Sequence, residues 1–211
     1  MKVLFAESRF WNTHPELQEE YKKEVATTFR EVRKLLPSIH KSITFVVQVN
    51  KHETMPEYGT GGATRNSELI LLFLDSKLPY GERGLLANTR EIVFHELNHA
   101  ARYAIPIWHK SFLDSCLMEG LATVFERDRA GSKPLYGIYD LSEVTDWLRE
   151  LQEGNPESRW QEYMFRHGDG RRWIGYKVGT YLIDEALQRS GKSIEALTLM
   201  ECQDILKAAQ F

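Results

Sequence analysis

Histidines stand at positions 95 and 99 and a glutamate at 96 in the stretch EIVFHELNHA. On a helix, two residues four apart project from one face, one turn above the other. Two imidazoles in that arrangement can share one tetrahedral Zn²⁺. Glu96, beside His95, stands at the rim of that face, where its carboxylate can reach a metal-bound water without occupying the metal. The chemistry such a group supports is hydrolysis. An H-E-x-x-H match is short and carries a false-positive risk, so its context has to decide.

The context is favourable. The segment RGLLANTREIVFHELNHAARYAI is apolar at helical intervals and predicts a helix over about 82–104, directly after a strand ELILLFLD at 68–75 and ending before Pro106. A third ligand has several candidates. The pattern H-E-x-x-H-x-x-G-x-x-H fails, because position 102 is Arg102 and position 105 is Ile105. His109 lies beyond Pro106 and off the motif. Glu119 sits in SFLDSCLMEGLATVFERD, a predicted helix over about 111–130, twenty positions after His99. The proline-containing connection lets the two helices return antiparallel. A carboxylate from a facing helix completes a two-His-one-Glu tripod and leaves a fourth position open for water.

These residues carry a resemblance. HELNH followed by Glu119 resembles the gluzincin arrangement of thermolysin-like zinc metallopeptidases, and EGLA after HExxHA, with WIGYKVGTYLI downstream, is similar to the predicted Zn-dependent proteases called YjaZ-like. It covers roughly residues 60–190. The resemblance implies a zincin-like fold, zinc held by His95, His99 and Glu119, and Glu96 as general base. It also implies an oxyanion donor, a Tyr or His from a later helix. Tyr176 in WIGYKVGTYL is the best match, because Gly175 and Gly179 let that helix approach closely, and His167 in RHGDGRRW is the second. In the thermolysin pattern an Asp four residues after the ligand Glu orients the first His; here that position is Thr123. Asp114, Thr123 and Glu126 are the alternatives for that role. The resemblance further places an extended peptide along an edge strand, read as ELILLFLD, with the glycine-rich stretch as one lip and Asn66, Ser67 and Glu68 near the substrate. Arg171 and Arg172 are candidates to hold a substrate carboxylate.

With zinc in place, bound water acidifies to a pKa of about 7 and Glu96 can take its proton as a carbonyl is attacked, then pass it to the departing amine. The reading is a zinc metallopeptidase acting on a peptide or protein. A non-hydrolytic zinc- or peptide-binding sensor module is the alternative, against which Glu96 argues, since a metal-only role needs no adjacent base.

The elements that must position these groups are also legible. THPELQEEYKKEVATTFREVRKLLP predicts a long amphipathic helix with a Thr13–Glu16 capping box and a stop at Pro37. SITFVVQVN predicts a half-buried strand over 43–49. EYGTGGATRN reads as a turn between strands rather than a phosphate loop, since no Lys-Ser/Thr follows the glycines. Further helices are expected over about 141–153, 156–166 and 175–190, with a short C-terminal pair. The fold class is α+β: a small, mostly antiparallel sheet packed on the His95 helix, then a helical C-terminal half. One domain is expected over 1–211, with a sheet-containing part at about 1–105 and a helical part at about 106–211. A formal net charge of -3 gives no basic excess for nucleic acid or an anionic membrane. No stretch reaches the roughly 20 apolar residues of a spanning helix. Cys116 and Cys202 lie far apart and read as buried small hydrophobes, and the expectation is a soluble, cytoplasmic chain.

Overall fold

A computed structural model of the chain describes residues 1–105 and 111–211. The chain falls into two compact units, Met1–Ile105 and Pro106–Phe211.

The first unit runs β1 (Lys2–Phe5), α1 (Arg9–Thr13), α2 (Pro15–Leu35), β2 (Thr44–Val49), β3 (Thr60–Asn66), β4 (Leu69–Leu74) and α3 (Gly81–Tyr103). Its strands lie in the order β1-β2-β4-β3. The chain crosses from β1 to β2 through α2, and a helical crossover returns a strand in the same direction, so these two pair in parallel. β4 pairs with β2 in parallel, from Thr44 opposite Leu69 to Val49 opposite Leu74. Only β3 and β4, joined by a tight connection at Ser67 and Glu68, run antiparallel. The α+β class stands; the sheet is mixed rather than mostly antiparallel, because a helix rather than a hairpin connects β1 to β2.

The apolar stripe of α2 (Tyr21, Val25, Phe29 and Val32) recurs at helical intervals and is buried. So are Phe45 and Val47 on β2 and Ile70, Leu72 and Leu74 on β4. Each such side chain contributes about 1.5–3 kcal/mol by leaving water, and together they hold the sheet on which α3 lies. The expected Thr13–Glu16 capping box does not form. Thr13 ends α1 instead, its hydroxyl donating to the carbonyls of Arg9 and Phe10 (3.1 and 3.0 Å), and Pro15 opens α2.

Two further expectations need correction. EYGTGGATRN is mostly a strand, β3, and not a turn. Gly61 and Gly62 are there for close approach: a Cβ on Gly61 would stand 2.1 Å from the Glu53 carbonyl oxygen, and one on Gly62 would stand 2.5 Å from Glu96 Cγ. As a result ELILLFLD is not an edge. β4 lies between β2 and β3, and β3 is the outer strand on that side.

The second unit contains α4 (Phe112–Ala130), α5 (Leu141–Glu153), α6 (Trp160–Met164), α7 (Ile174–Ser190), α8 (Ile194–Thr198) and α9 (Cys202–Ala208). The expected helix over 156–166 is a 3-10 turn at Pro156–Arg159 followed by α6. Ser111 and Asp114 form a capping box at the start of α4, and left-handed Gly131 ends it. α4 and α7 cross almost backbone to backbone, since a Cβ on Gly179 would lie 1.8 Å from the Cys116 carbonyl oxygen. Gly179→Ala is therefore expected to force the two helices apart and cost about 3 kcal/mol. Gly175→Ala meets the Met164 sulfur, which can swing aside, and should cost much less. Thermal unfolding of the pair checks this: equal melting temperatures would show that the crossing yields. Cys116 and Cys202 are buried free thiols, and burial pushes the Cys116 thiol up. Among the described residues no helix is long and apolar enough to cross a membrane.

Candidate metal centre

In the first unit, α3 is buried without interruption from Val93 to Arg102. His95, Glu96 and His99 are 4%, 4% and 8% exposed. Three polar side chains buried within about one turn are costly to desolvate and need strong partners, which sets this turn apart from an ordinary amphipathic helix. The His95 and His99 rings meet edge to face with centroids 4.9 Å apart, as the i, i+4 spacing requires.

Glu96 turns toward the sheet. Its Oε2 accepts from the Thr64 hydroxyl at 2.7 Å, and its own backbone oxygen lies 2.8 Å from the same hydroxyl. Thr64 and Gly62 are two apart on β3, so both face α3. The space over Gly62 is filled by Glu96 Cγ, Cδ and Oε1. Thr64 was not among the residues read from sequence. Its only signal is the small-then-hydroxyl alternation of Gly62 and Thr64, in a strand that has two threonines but none of the Val, Ile or aromatic residues that usually announce one. Asn66 ends β3, where its Oδ1 accepts from the Glu68 backbone at 2.8 Å and so closes the turn into β4. Glu68 is exposed, 3.7 Å from His40.

In the second unit, Glu119 lies on α4, half-buried. Of the three residues considered for orienting a histidine, Asp114 belongs to the capping box, and the Thr123 hydroxyl donates to the Glu119 backbone oxygen at 2.7 Å inside α4. Glu126 is buried and accepts from Ser132 at 2.9 Å and from the Tyr136 phenol. Tyr176 is on the first turn of α7, 8% exposed, its ring edge-on to Tyr136 at 5.3 Å and tilted against Phe165 at 6.4 Å.

His167 sits in a closed loop, its backbone N–H donating to the Arg171 carbonyl at 2.8 Å. Its Nδ1 is 2.9 Å from Asp169 and its Nε2 is 2.9 Å from Arg159, so both ring nitrogens are engaged there. Arg171 binds Glu150 through two nitrogens at 2.6 and 3.1 Å and Asp169 at 2.7 Å. It holds both carboxyls below their usual range. Arg172 lies over the Trp173 ring, 3.8 Å from its centroid. His109 lies outside the described residues.

The family model described as "Predicted Zn-dependent protease" (DUF2268) matches residues 21–207. The chain belongs to that family. No curated protein and no solved structure matches it. The region shared with the predicted Zn-dependent proteases takes in β3, α3, α4 and α7, and with them Thr64, the HELNH turn, Glu119, His167 and Tyr176. It leaves out only β1, α1 and the first residues of α2 on the N-terminal side.

Proposed function

We propose that this protein is a zinc-dependent peptidase in which His95, His99 and Glu119 hold the metal and Glu96 is the general base. The observation that carries the reading is the buried histidine pair on α3, with ring centroids 4.9 Å apart and only 4% and 8% exposed, in a chain of the predicted Zn-dependent protease family. Two imidazole nitrogens and one carboxylate oxygen are a donor set of three-ligand catalytic zinc, and a pair of buried imidazoles one turn apart fits such an ion. Bound there, zinc supplies Lewis acidity that polarises a carbonyl and acidifies water.

The remaining chemistry belongs to the chain. Glu96 Oε1 takes the proton of the attacking water and delivers it to the departing amine, so no covalent intermediate with the protein is needed. A peptide substrate adds along β3, the outer strand that carries Thr64 and lies against α3, with backbone hydrogen bonds setting its register. Asn66 then marks the far end of that strand. Arg171 and Arg172 remain proposed contacts for a substrate carboxylate, though Arg171 would first have to leave Glu150 and Asp169.

Tyr176 is the proposed oxyanion donor, and His167 ranks behind it because both its ring nitrogens already have partners in their loop. Tyr176→Phe is then expected to leave zinc content and KM near wild type while kcat falls about 10²–10³-fold, as for loss of one oxyanion donor. If Tyr176 only packs against Tyr136 and Phe165, the change leaves kcat alone and lowers stability by about 1 kcal/mol through a lost hydrogen bond. A parallel His167→Ala measurement would transfer the role if the large loss appeared there.

Incubating the zinc-loaded protein with a quenched-fluorescence peptide library tests the function itself. Cleavage that chelator removes and zinc restores is expected. Stoichiometric zinc with no cleavage would favour a sensor module.

A further inference from the structure

The geometry points to Thr64 as the positioning residue for Glu96, with Gly62 clearing the space the carboxylate occupies. This rests on the peptidase reading and extends it from the helix that bears the base to the strand that aims it. Glu96 is a long, rotatable side chain next to a histidine, and nothing in an H-E-x-x-H turn by itself fixes where its carboxylate points. Here two positions on one face of β3 do so. The Thr64 hydroxyl lies 2.7 Å from Oε2 and 2.8 Å from the Glu96 backbone oxygen, so one hydroxyl reaches both ends of the same residue and restrains the torsions between them. Two residues earlier, any side chain would collide with Glu96, since a Cβ at Gly62 would stand 2.5 Å from Cγ, 2.6 Å from Oε1 and 2.8 Å from Cδ. The atoms met are the middle of the side chain as well as its tip, so the collision could not be relieved by a small swing of the end.

The consequence for the chemistry is a division of labour between the two carboxylate oxygens. Oε2 is held by Thr64, and Oε1 is left to receive the proton from water and return it to the amine. The proton enters and leaves on Oε1, and Thr64 keeps its own throughout. Thr64 touches no reacting atom, so it acts only through Glu96, and a misplaced base costs rate without costing substrate affinity. A purely architectural Thr64, tying β3 to the α3 backbone, would instead show in stability and leave kcat untouched.

The test is Thr64→Val, which keeps the branched shape suited to a strand and removes the hydroxyl, set against Thr64→Ser, which keeps the hydroxyl. Zinc-loaded full-length proteins are compared by kcat and KM, by zinc content, by thermal unfolding and by the crystallographic position of Glu96. Thr64→Val is expected to lose on the order of 10²-fold in kcat at unchanged KM and zinc content, with the carboxylate displaced or spread over rotamers. Thr64→Ser should stay within a few fold of wild type with the carboxylate in place. Gly62→Ala gives a second route to the same displacement and the same loss of kcat. Unchanged kcat in Thr64→Val, an unmoved carboxylate, or equal losses in the Val and Ser variants each overturn the assignment. If the wild type cleaves no peptide, the crystal structures still decide: a carboxylate displaced in Thr64→Val and held in Thr64→Ser keeps the positioning role while the peptidase reading falls. An unmoved one removes both.

Discussion

Glu96→Gln protein is expected to bind zinc as the wild type does and to lose at least about 10²-fold in kcat on any peptide the wild type cleaves, the lower end of what a positioned acid–base group contributes. The amide has nearly the shape of the carboxylate. Its oxygen can accept from Thr64 where Oε2 did, leaving the NH₂ over Gly62, so neither the α3–β3 contact nor the burial of this turn is disturbed. What the amide cannot do is accept a proton and give it back. Metal analysis, thermal unfolding and turnover on one preparation separate these effects. Retained turnover in a zinc-replete variant would remove Glu96 from the base role. A drop in zinc along with activity would mean that the substitution had disturbed His95 or His99, and Thr64→Val would then be the cleaner probe of this side chain.

What the sequence disclosed, and what it hid, follows from how each residue makes its case. The helix of the HELNH turn was legible because it is long and its apolar residues recur at helical intervals: about 82–104 was expected and α3 spans Gly81–Tyr103. The stop at Pro37 is a local event and was legible as well. The strand β3 was hidden. Its Gly61 and Gly62 are the residue type that usually punctuates turns, and their reason for being in a strand lies in distant groups, the Glu53 carbonyl and the Glu96 side chain. Missing β3 misplaced the sheet edge by one strand and concealed Thr64, whose partner is thirty-two positions away. The Thr13–Glu16 pattern failed for a related reason, since Pro15 offers its own helix start one residue past His14 and frees Thr13 to close α1. Patterns made by neighbours along the chain could be read; pairings set by the sheet could not.

The ligand variants should show the other large effect. His95→Ala, His99→Ala and Glu119→Ala are each expected to reduce zinc from about one per chain to near background after dialysis, and to abolish hydrolysis with it, because three protein ligands and one open position define this class of site. Loss of an outer-sphere partner typically weakens a metal about 10–100-fold, so removal of a ligand itself should exceed that range. Activity alone cannot make the assignment, since Glu96→Gln is also expected to lose it. Stability can. Zinc that binds only the folded state raises stability by about 4 kcal/mol when present at 1,000 times its Kd, so added zinc should raise the melting temperature of wild type, Glu96→Gln and Thr64→Val alike. The three ligand variants should melt at the same temperature with and without it. Glu119→Ala is the informative member. It is half-buried on α4, where an alanine is a good helix former, so with the fold retained its loss of the zinc-dependent shift would report ligation rather than unfolding. A Glu119→Ala protein that still takes up one zinc and still melts higher with it would send the third ligand elsewhere, with His109 the first residue to substitute next.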